Sequence, residues 1–400
     1  MANIETTVSH TINELVPLLK RCLKIKRPVF LWSGPGIGKS SIVAAIAKQM
    51  GGICIDLRLS QMQQSDIIGI PYFDSGATGV SGGTGTMRWA PDERMPNVSF
   101  ASQFPIVILF LDEMNAAAPA VQASAYQLVL DRAAGTYKLP DNVVIVAAGN
   151  RESDRGVTFR MPTPLANRFL HYEVKADFDS WLDWALEEGI NSYVIAFLST
   201  YKDMLYQFEP TSADKAFPTP RSWEFVSQLI TTEKGEAAIS DSTIRNLVAS
   251  AVGSGAASTF MAYLKIGKNL PAPNDILTGK VTTINTQESS AHYQIIVSML
   301  YELKNYWFDN STGTGVTEKV GDNRMVEKRE WHEDKPYAKN WTSMLENFNN
   351  FILSQVKTEI GIMAARMAFK NYNLMKAVPM TNVKSWTKIT QQWGKYIIAA

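Results

Sequence analysis

Two short stretches carry residue types and spacings that can act on a phosphate. Residues 33–40 read SGPGIGKS, set between the apolar run PVFLW and the helix-like SIVAAIAKQM. Small residues at a strand-to-helix turn let backbone N–H groups close around phosphate oxygens, and the helix dipole favours the anion. In that loop Lys39 would reach the β- and γ-phosphates, and the Ser40 hydroxyl would ligate magnesium. The pattern GxxxxGK[ST] departs from its usual form at its first position, which is Ser33 followed by Gly34, so the first turn must accept a serine. The second stretch, PIVILFLDE, is an apolar run ending in two carboxylates. Asp112 would hold the magnesium shell and Glu113 would polarise an attacking water. An Asp-Glu pair at a strand end is a common solvated turn when alone; beside a phosphate loop it becomes a hydrolytic pair.

Three further positions extend this chemistry. Asn150 ends VVIVAAGN, where its amide could orient the water or touch the γ-phosphate; an ordinary Asn in a turn after a strand is the alternative. Arg168, in PLANRFLHYEV, could neutralise transition-state charge at a neighbouring subunit's site, with Arg160 and Arg155 as competitors and a surface ion pair as the plain alternative. Arg221 opens RSWEFVSQLI after FPTP. A cation on a first helical turn gains nothing from the dipole, which suggests that an anion such as phosphate holds it there.

The elements that must position these residues alternate as strand, loop, helix, strand. Apolar residues at Ile12, Leu15, Leu18, Leu19 and Leu23 give a helix, PVFLW a buried strand, SIVAAIAKQM a helix, ICIDLRL a second strand, PIVILFLDE a third, PAVQASAYQLVLDRA a helix and VVIVAAGN a fourth strand. Continuous apolar runs of this kind suit parallel strands covered on both faces. Between the second and third strands, DSGATGVSGGTGTMRW reads as a loop or hairpin. Past about residue 175 the pattern turns helical, through FDSWLDWALEEGI and RSWEFVSQLI, and no further convincing parallel strand follows. From about 285 the stretches SSAHYQIIVSMLYELKNYWF and NFNNFILSQVKTEIGIMAARMAF flank the polar segment STGTGVTEKVGDNR.

Bulk properties narrow the function classes. The 400 residues are 46% hydrophobic, enough for more than one core. Lys plus Arg number 39 against 38 for Asp plus Glu, so no global field draws the chain to nucleic acid or an anionic membrane, although a local basic patch could. Cys22 and Cys54 are the only cysteines; they exclude a disulfide scaffold or a Cys-based zinc site. The first residues do not read as a signal peptide, and the apolar run at 104–111 is far short of a membrane span. The cytoplasm is the expected compartment, a host's for a viral protein.

The order SGPGIGKS, LDEMNAAAPAVQASAYQLVLDRAAGTYKL, VVIVAAGN, PLANRF and FPTPRSWEF resembles the MoxR-like branch of the AAA+ ATPases over about residues 10–230. The resemblance implies an α/β class: a parallel-sheet P-loop ATPase core at 1–175 with an insertion at about 65–100, an α-helical lid at 176–275 and, beyond the resemblance, an α-helical C-terminal extension at 276–400. It implies that ATP binds through Gly34, Pro35, Gly36, Ile37, Gly38, Lys39, Ser40, Ser41 and Asp112, with Ser40 and Asp112 on Mg2+. Lys39 and Ser40 become Walker A residues, Asp112 and Glu113 Walker B, Asn150 sensor 1, Arg168 the arginine finger and Arg221 sensor 2. Asn115 and Ala116 stand where related proteins often have Asn-Arg, so a basic contact is missing there. A homo-oligomeric ring, usually a hexamer, with ATP between subunits is implied. So is a chaperone-like role on a protein client, often beside a von Willebrand A domain partner. In the insertion, Tyr72, Phe73, Met87 and Trp89 either fill its own small core or a subunit interface, the favoured reading, or grip a client. Two other functions stay open: a nucleic-acid-associated motor, and an ATP-gated assembly protein with slow hydrolysis.

Overall fold

The computed structural model describes residues 8–78, 84–154, 159, 161–231, 239–286, 288–320, 324–372, 374 and 383–398. Arg155 and Arg160 lie outside the described residues. The chain divides near residue 176 into an α/β unit and a helical unit.

In the α/β unit the strands are β1 (Ser9–His10), β2 (Val29–Trp32), β3 (Ile53–Arg58), β4 (Ile70–Thr78), β5 (Thr84–Ala90), β6 (Val107–Asp112), β7 (Ala133–Ala134), β8 (Tyr137–Lys138), β9 (Val143–Gly149) and β10 (Leu170–Val174). Six of them form one parallel sheet in the order β1-β10-β2-β9-β6-β3. All of β6 and β9 is buried, which explains their unbroken apolar runs: both faces of a central parallel strand are covered. β1 and β10 extend the four strands expected from the sequence. Both escaped notice for a physical reason: β1 is two residues long, and β10 is the polar, half-exposed LHYEV, which lacks an apolar run.

The helices Ile12–Lys24, Lys39–Gln49 and Pro119–Asp131 bury one side each. The first begins with a capping box in which Thr11 accepts from the Glu14 N–H and the Glu14 carboxylate accepts from the Thr11 N–H. The Gly-rich insertion is an antiparallel hairpin of β4 and β5. Its apolar side chains do not make a core of their own: Tyr72, Phe73 and Met87 are exposed, while half-buried Trp89 lies against Gly135. The hairpin is too thin to bury one face of its own.

The helical unit runs on through the chain. Helices Phe178–Glu187, Ser192–Thr200, Pro220–Ile230, Asp241–Val252, Ser254–Gly267, Ser289–Asn310, Pro336–Ser354, Thr358–Arg366 and Lys384–Ile398 dominate it. Residues on both sides of 275 share one hydrophobic cluster, from Phe178 and Trp223 to Trp341, Phe348 and Trp386, and a common core of this kind binds the expected lid and extension into one body. Trp341, Met344, Met367, Tyr372, Trp386 and Trp393 are thus core, as their helical spacing indicates, whereas Tyr396 is exposed. The polar segment between the long helices is a second hairpin, β11 (Thr312–Val320) and β12 (Arg324–Glu330), so the extension is helical with one β-hairpin. Among the described residues no helix is long and apolar enough to cross a membrane.

His292, in Ser289–Asn310, is buried with neither ring nitrogen in a hydrogen bond of normal geometry. Burial holds its pKa below the ordinary 6.5; the Thr286 backbone offsets this in part and Lys357 adds to it. The unfolded chain therefore binds a proton that the folded one resists. Stability from this group is full above 6.5 and falls as pH drops below it. Glu302 on the same helix is shifted upward by burial and then by Asp309, with the opposite sign in a more acidic window. Thermal melts at stepped pH should show the wild type losing stability between neutral and mildly acidic pH relative to His292→Leu; parallel curves would exclude this residue as the cause.

Candidate active site

Register between strands brings the distant motifs together. Trp32 of β2 pairs with Gly149 of β9, Leu111 of β6 with Ala147 of β9, and Arg58 of β3 with Asp112 of β6. The carboxyl ends of these strands therefore open on one edge of the sheet, where α/β proteins bind ligands. SGPGIGKS leaves β2 there, Asp112 and Glu113 end β6, and Asn150 follows β9.

The loop turns into the helix Lys39–Gln49 at Gly38, whose φ of 93° is a conformation glycine adopts without strain. A Cβ at Gly38 would touch nothing within 4 Å, so the backbone conformation is what calls for glycine here. No side chain caps the N–H groups of this helix start. Lys39 Nζ donates to Ser33 Oγ at 2.9 Å, to the Ser33 carbonyl at 3.4 Å and to Asn150 Oδ1 at 3.2 Å. Ser33 is fully buried, and its hydroxyl donates in turn to the Gly34 carbonyl at 2.9 Å. The serine in the first position thus has a role that the pattern did not reveal: it is a polar partner that holds the lysine over the loop.

Ser40 Oγ donates to Asp112 Oδ2 at 3.2 Å, and Asp112 Oδ1 accepts from the Glu113 N–H at 2.9 Å. Glu113 has φ 54°, a left-handed conformation that costs a non-glycine residue on the order of 1 kcal/mol or more. The turn directs its carboxylate to the Ser60 hydroxyl, which donates to Oε2. Asp56, on the edge strand β3, has its carboxyl held above the ordinary range by partial desolvation first and then by the charges of Asp112 and Glu113, against the pull of Arg58. A raised carboxyl contributes stability while protonated and loses it as pH rises above 3.8. At neutral pH the site is therefore a concentration of negative charge that a cation relieves. Nearby, burial and then Asp56 push the Cys54 thiol up to about 12, leaving it an inert thiol.

Two anticipated arginines are exposed. Arg168 follows the short helix Thr163–Ala166 and is exposed. Arg221 stands exposed on the first turn of Pro220–Ile230, in the helical unit. Arg151, which the sequence did not single out, places Nε 3.1 Å from Glu173 Oε1 on β10 and so ties the residue after Asn150 to the sheet. Ser33, Ser60 and Asn115 were likewise overlooked as partners, since serine and asparagine at strand ends read as ordinary turn residues.

This arrangement matches a known family. The family model described as "ATPase family associated with various cellular activities (AAA)" matches residues 29–172. Over these residues the chain is similar to AAA-family ATPase domains. The curated protein Midasin of Giardia intestinalis is 27% identical over 192 residues, 45% of this chain but 4% of Midasin's length. A putative ATPase from Cytophaga hutchinsonii ATCC 33406 aligns at 13% identity and a TM-score of 0.32, over 90% of this chain and 81% of that one. NtrX from Brucella abortus in complex with ADP aligns at 12% identity and a TM-score of 0.34, over 96% and 68%.

The residues gathered at this sheet edge fit a magnesium-nucleotide. The uncapped helix start and Lys39 suit phosphate oxygens, and the Ser40 hydroxyl beside the Asp112 carboxylate is an all-oxygen pair suited to Mg2+, which keeps several waters and phosphate ligands. Ser40→Ala and Asp112→Asn should each weaken nucleotide binding in magnesium by about 10- to 100-fold. Titration of a fluorescent ATP analogue checks this. A chelator should weaken binding to the wild type and change the variants little; an unaltered magnesium dependence would rule out this pair.

Proposed function

We propose that the chain is a ring-forming ATPase that couples hydrolysis to the remodelling or activation of a protein partner. The observation that carries the reading is the meeting of Lys39, Ser40, Asp112, Glu113 and Asn150 at one sheet edge. ATP, cradled by residues 34–41, supplies the phosphoanhydride, and Mg2+ at Ser40 and Asp112 supplies charge neutralisation. Glu113 polarises the attacking water, and its proton moves to the carboxylate. Asn150 orients the water or senses the terminal phosphate, and Lys39 exchanges its Ser33 and Asn150 contacts for phosphate oxygens.

Oligomerisation enters through Arg168. Its exposure supports a role in trans, where a guanidinium from one subunit meets the charge that develops at its neighbour. Arg221 is the corresponding cation of the helical unit. The exposed Tyr72, Phe73 and Met87 of the hairpin favour contact with another protein, whether a neighbouring subunit or a client. A MoxR-like chaperone working in the cytoplasm with a von Willebrand A domain partner is the most specific form of this proposal, and it rests on the motif order.

Turnover measured across protein concentration, with mass determined in parallel, tests the ring. Hydrolysis should rise as oligomers form. Glu113→Gln should lower it by about 100-fold or more, and Arg168→Ala by about 1,000-fold. Turnover that ignores concentration and survives Arg168→Ala would leave an ATPase without a shared site, and a wild type without turnover would refute the enzymatic reading.

A further inference from the structure

The turn after Glu113 holds a side chain with an unusual set of contacts. Asn115 lies in Met114–Ala116 and is 2% exposed. Its Nδ2 donates to the Asn150 carbonyl at 2.7 Å, and its main-chain carbonyl accepts from the Phe159 N–H at 2.6 Å. The opposite amide orientation would set Oδ1 against the Asn150 carbonyl, so the donor must face it. Oδ1 is buried with no hydrogen-bond partner and rests against Gly149. A Cβ on Gly149 would come within 2.2 Å of it.

A buried acceptor without a donor is a cost to folding. Alanine at 115 would remove that acceptor but would also take the donor from the Asn150 carbonyl, so the amide exchanges one unpaired group for a bond between two turns. What the amide supplies is a rigid link. Glu113 stands two residues before it in the same turn, and Asn150, whose carbonyl it holds, points Oδ1 at Lys39 Nζ 3.2 Å away. We propose that Asn115 is a positioning residue: it ties the carboxylate turn to Asn150, so that the group reading the terminal phosphate and the group polarising the water are set in one geometry. This rests on the reading of residues 29–172 as an ATP-hydrolysing site.

Asn115→Ala and Gly149→Ala test the link from its two sides, the first removing the donor and the second displacing it. Both should bind ADP within about threefold of the wild type, because the phosphate loop is intact. Both should lose the wild type's discrimination between ADP and a non-hydrolysable ATP analogue, and kcat should fall about 10- to 100-fold. The losses in the double variant Asn115→Ala/Asn150→Ala should sum to less than those of the two single variants, since residues acting through one another are not additive. Melting temperature, measured alongside, shows that each variant is folded. Folded variants with wild-type kcat and wild-type discrimination would overturn the proposal, as would losses that add in the double variant. A wild type that binds nucleotide but does not turn it over would instead defeat the underlying ATPase reading, and the binding comparison would still decide whether Asn115 positions Asn150.

Discussion

Parallel hydrogen bonding between β2, β9 and β6 fixes where every reactive group stands. Each strand is a run of buried apolar residues whose backbone groups have only the neighbouring strands as partners, and a slip of one residue would turn the side chains of a strand to the other face of the sheet. With Trp32 opposite Gly149 and Leu111 opposite Ala147, the residue that follows or ends each strand emerges at the same edge. Ser33, Asp112 and Asn150 are those residues. The site is thus a consequence of sheet register, and a change in the apolar core of β6 or β9 would be felt at it.

On that edge the charges are arranged to need each other. Asp112, Glu113 and Asp56 raise the local negative potential, and Lys39 is the cation that reaches back over the loop to Ser33 and Asn150. Such a set would be balanced by a nucleotide with its metal, since Mg2+ would offset the carboxylates while phosphate oxygens would engage Lys39 and the helix start. The left-handed backbone at Glu113 and the unpaired Oδ1 of Asn115 are further departures from what stability alone would choose. Both lie within three residues of Asp112. Local compromises of this kind gather where chemistry is done.

The helical unit contributes something different. Its described residues share a large core, with Trp223, Trp341 and Trp386 among the most deeply buried side chains, so the stretches before and after residue 276 belong to one compact unit. Arg221 on the first turn of Pro220–Ile230 is therefore carried by the whole unit, including the residues past 276.

What the sequence determined by itself was local. A glycine-rich turn before a lysine and a hydroxyl, two carboxylates after an apolar run and an amide after another are read from neighbouring residues, because each depends on backbone conformation and strand propensity within a few positions. The four core strands and most helices were legible for the same reason, as was the aromatic core of the last third of the chain. Only the tertiary structure decided what is nonlocal. The strands β1 and β10 are held by pairing and not by an apolar pattern of their own. The exposure of Tyr72, Phe73 and Met87 follows from what the hairpin fails to pack against. The union of the two helical stretches arises from a core shared across more than a hundred residues of chain. The contacts of Ser33 with Lys39, Ser60 with Glu113 and Asn115 with Asn150 join residues that the sequence treats as unrelated, and their roles exist only once sheet register has brought the strand ends to a common edge.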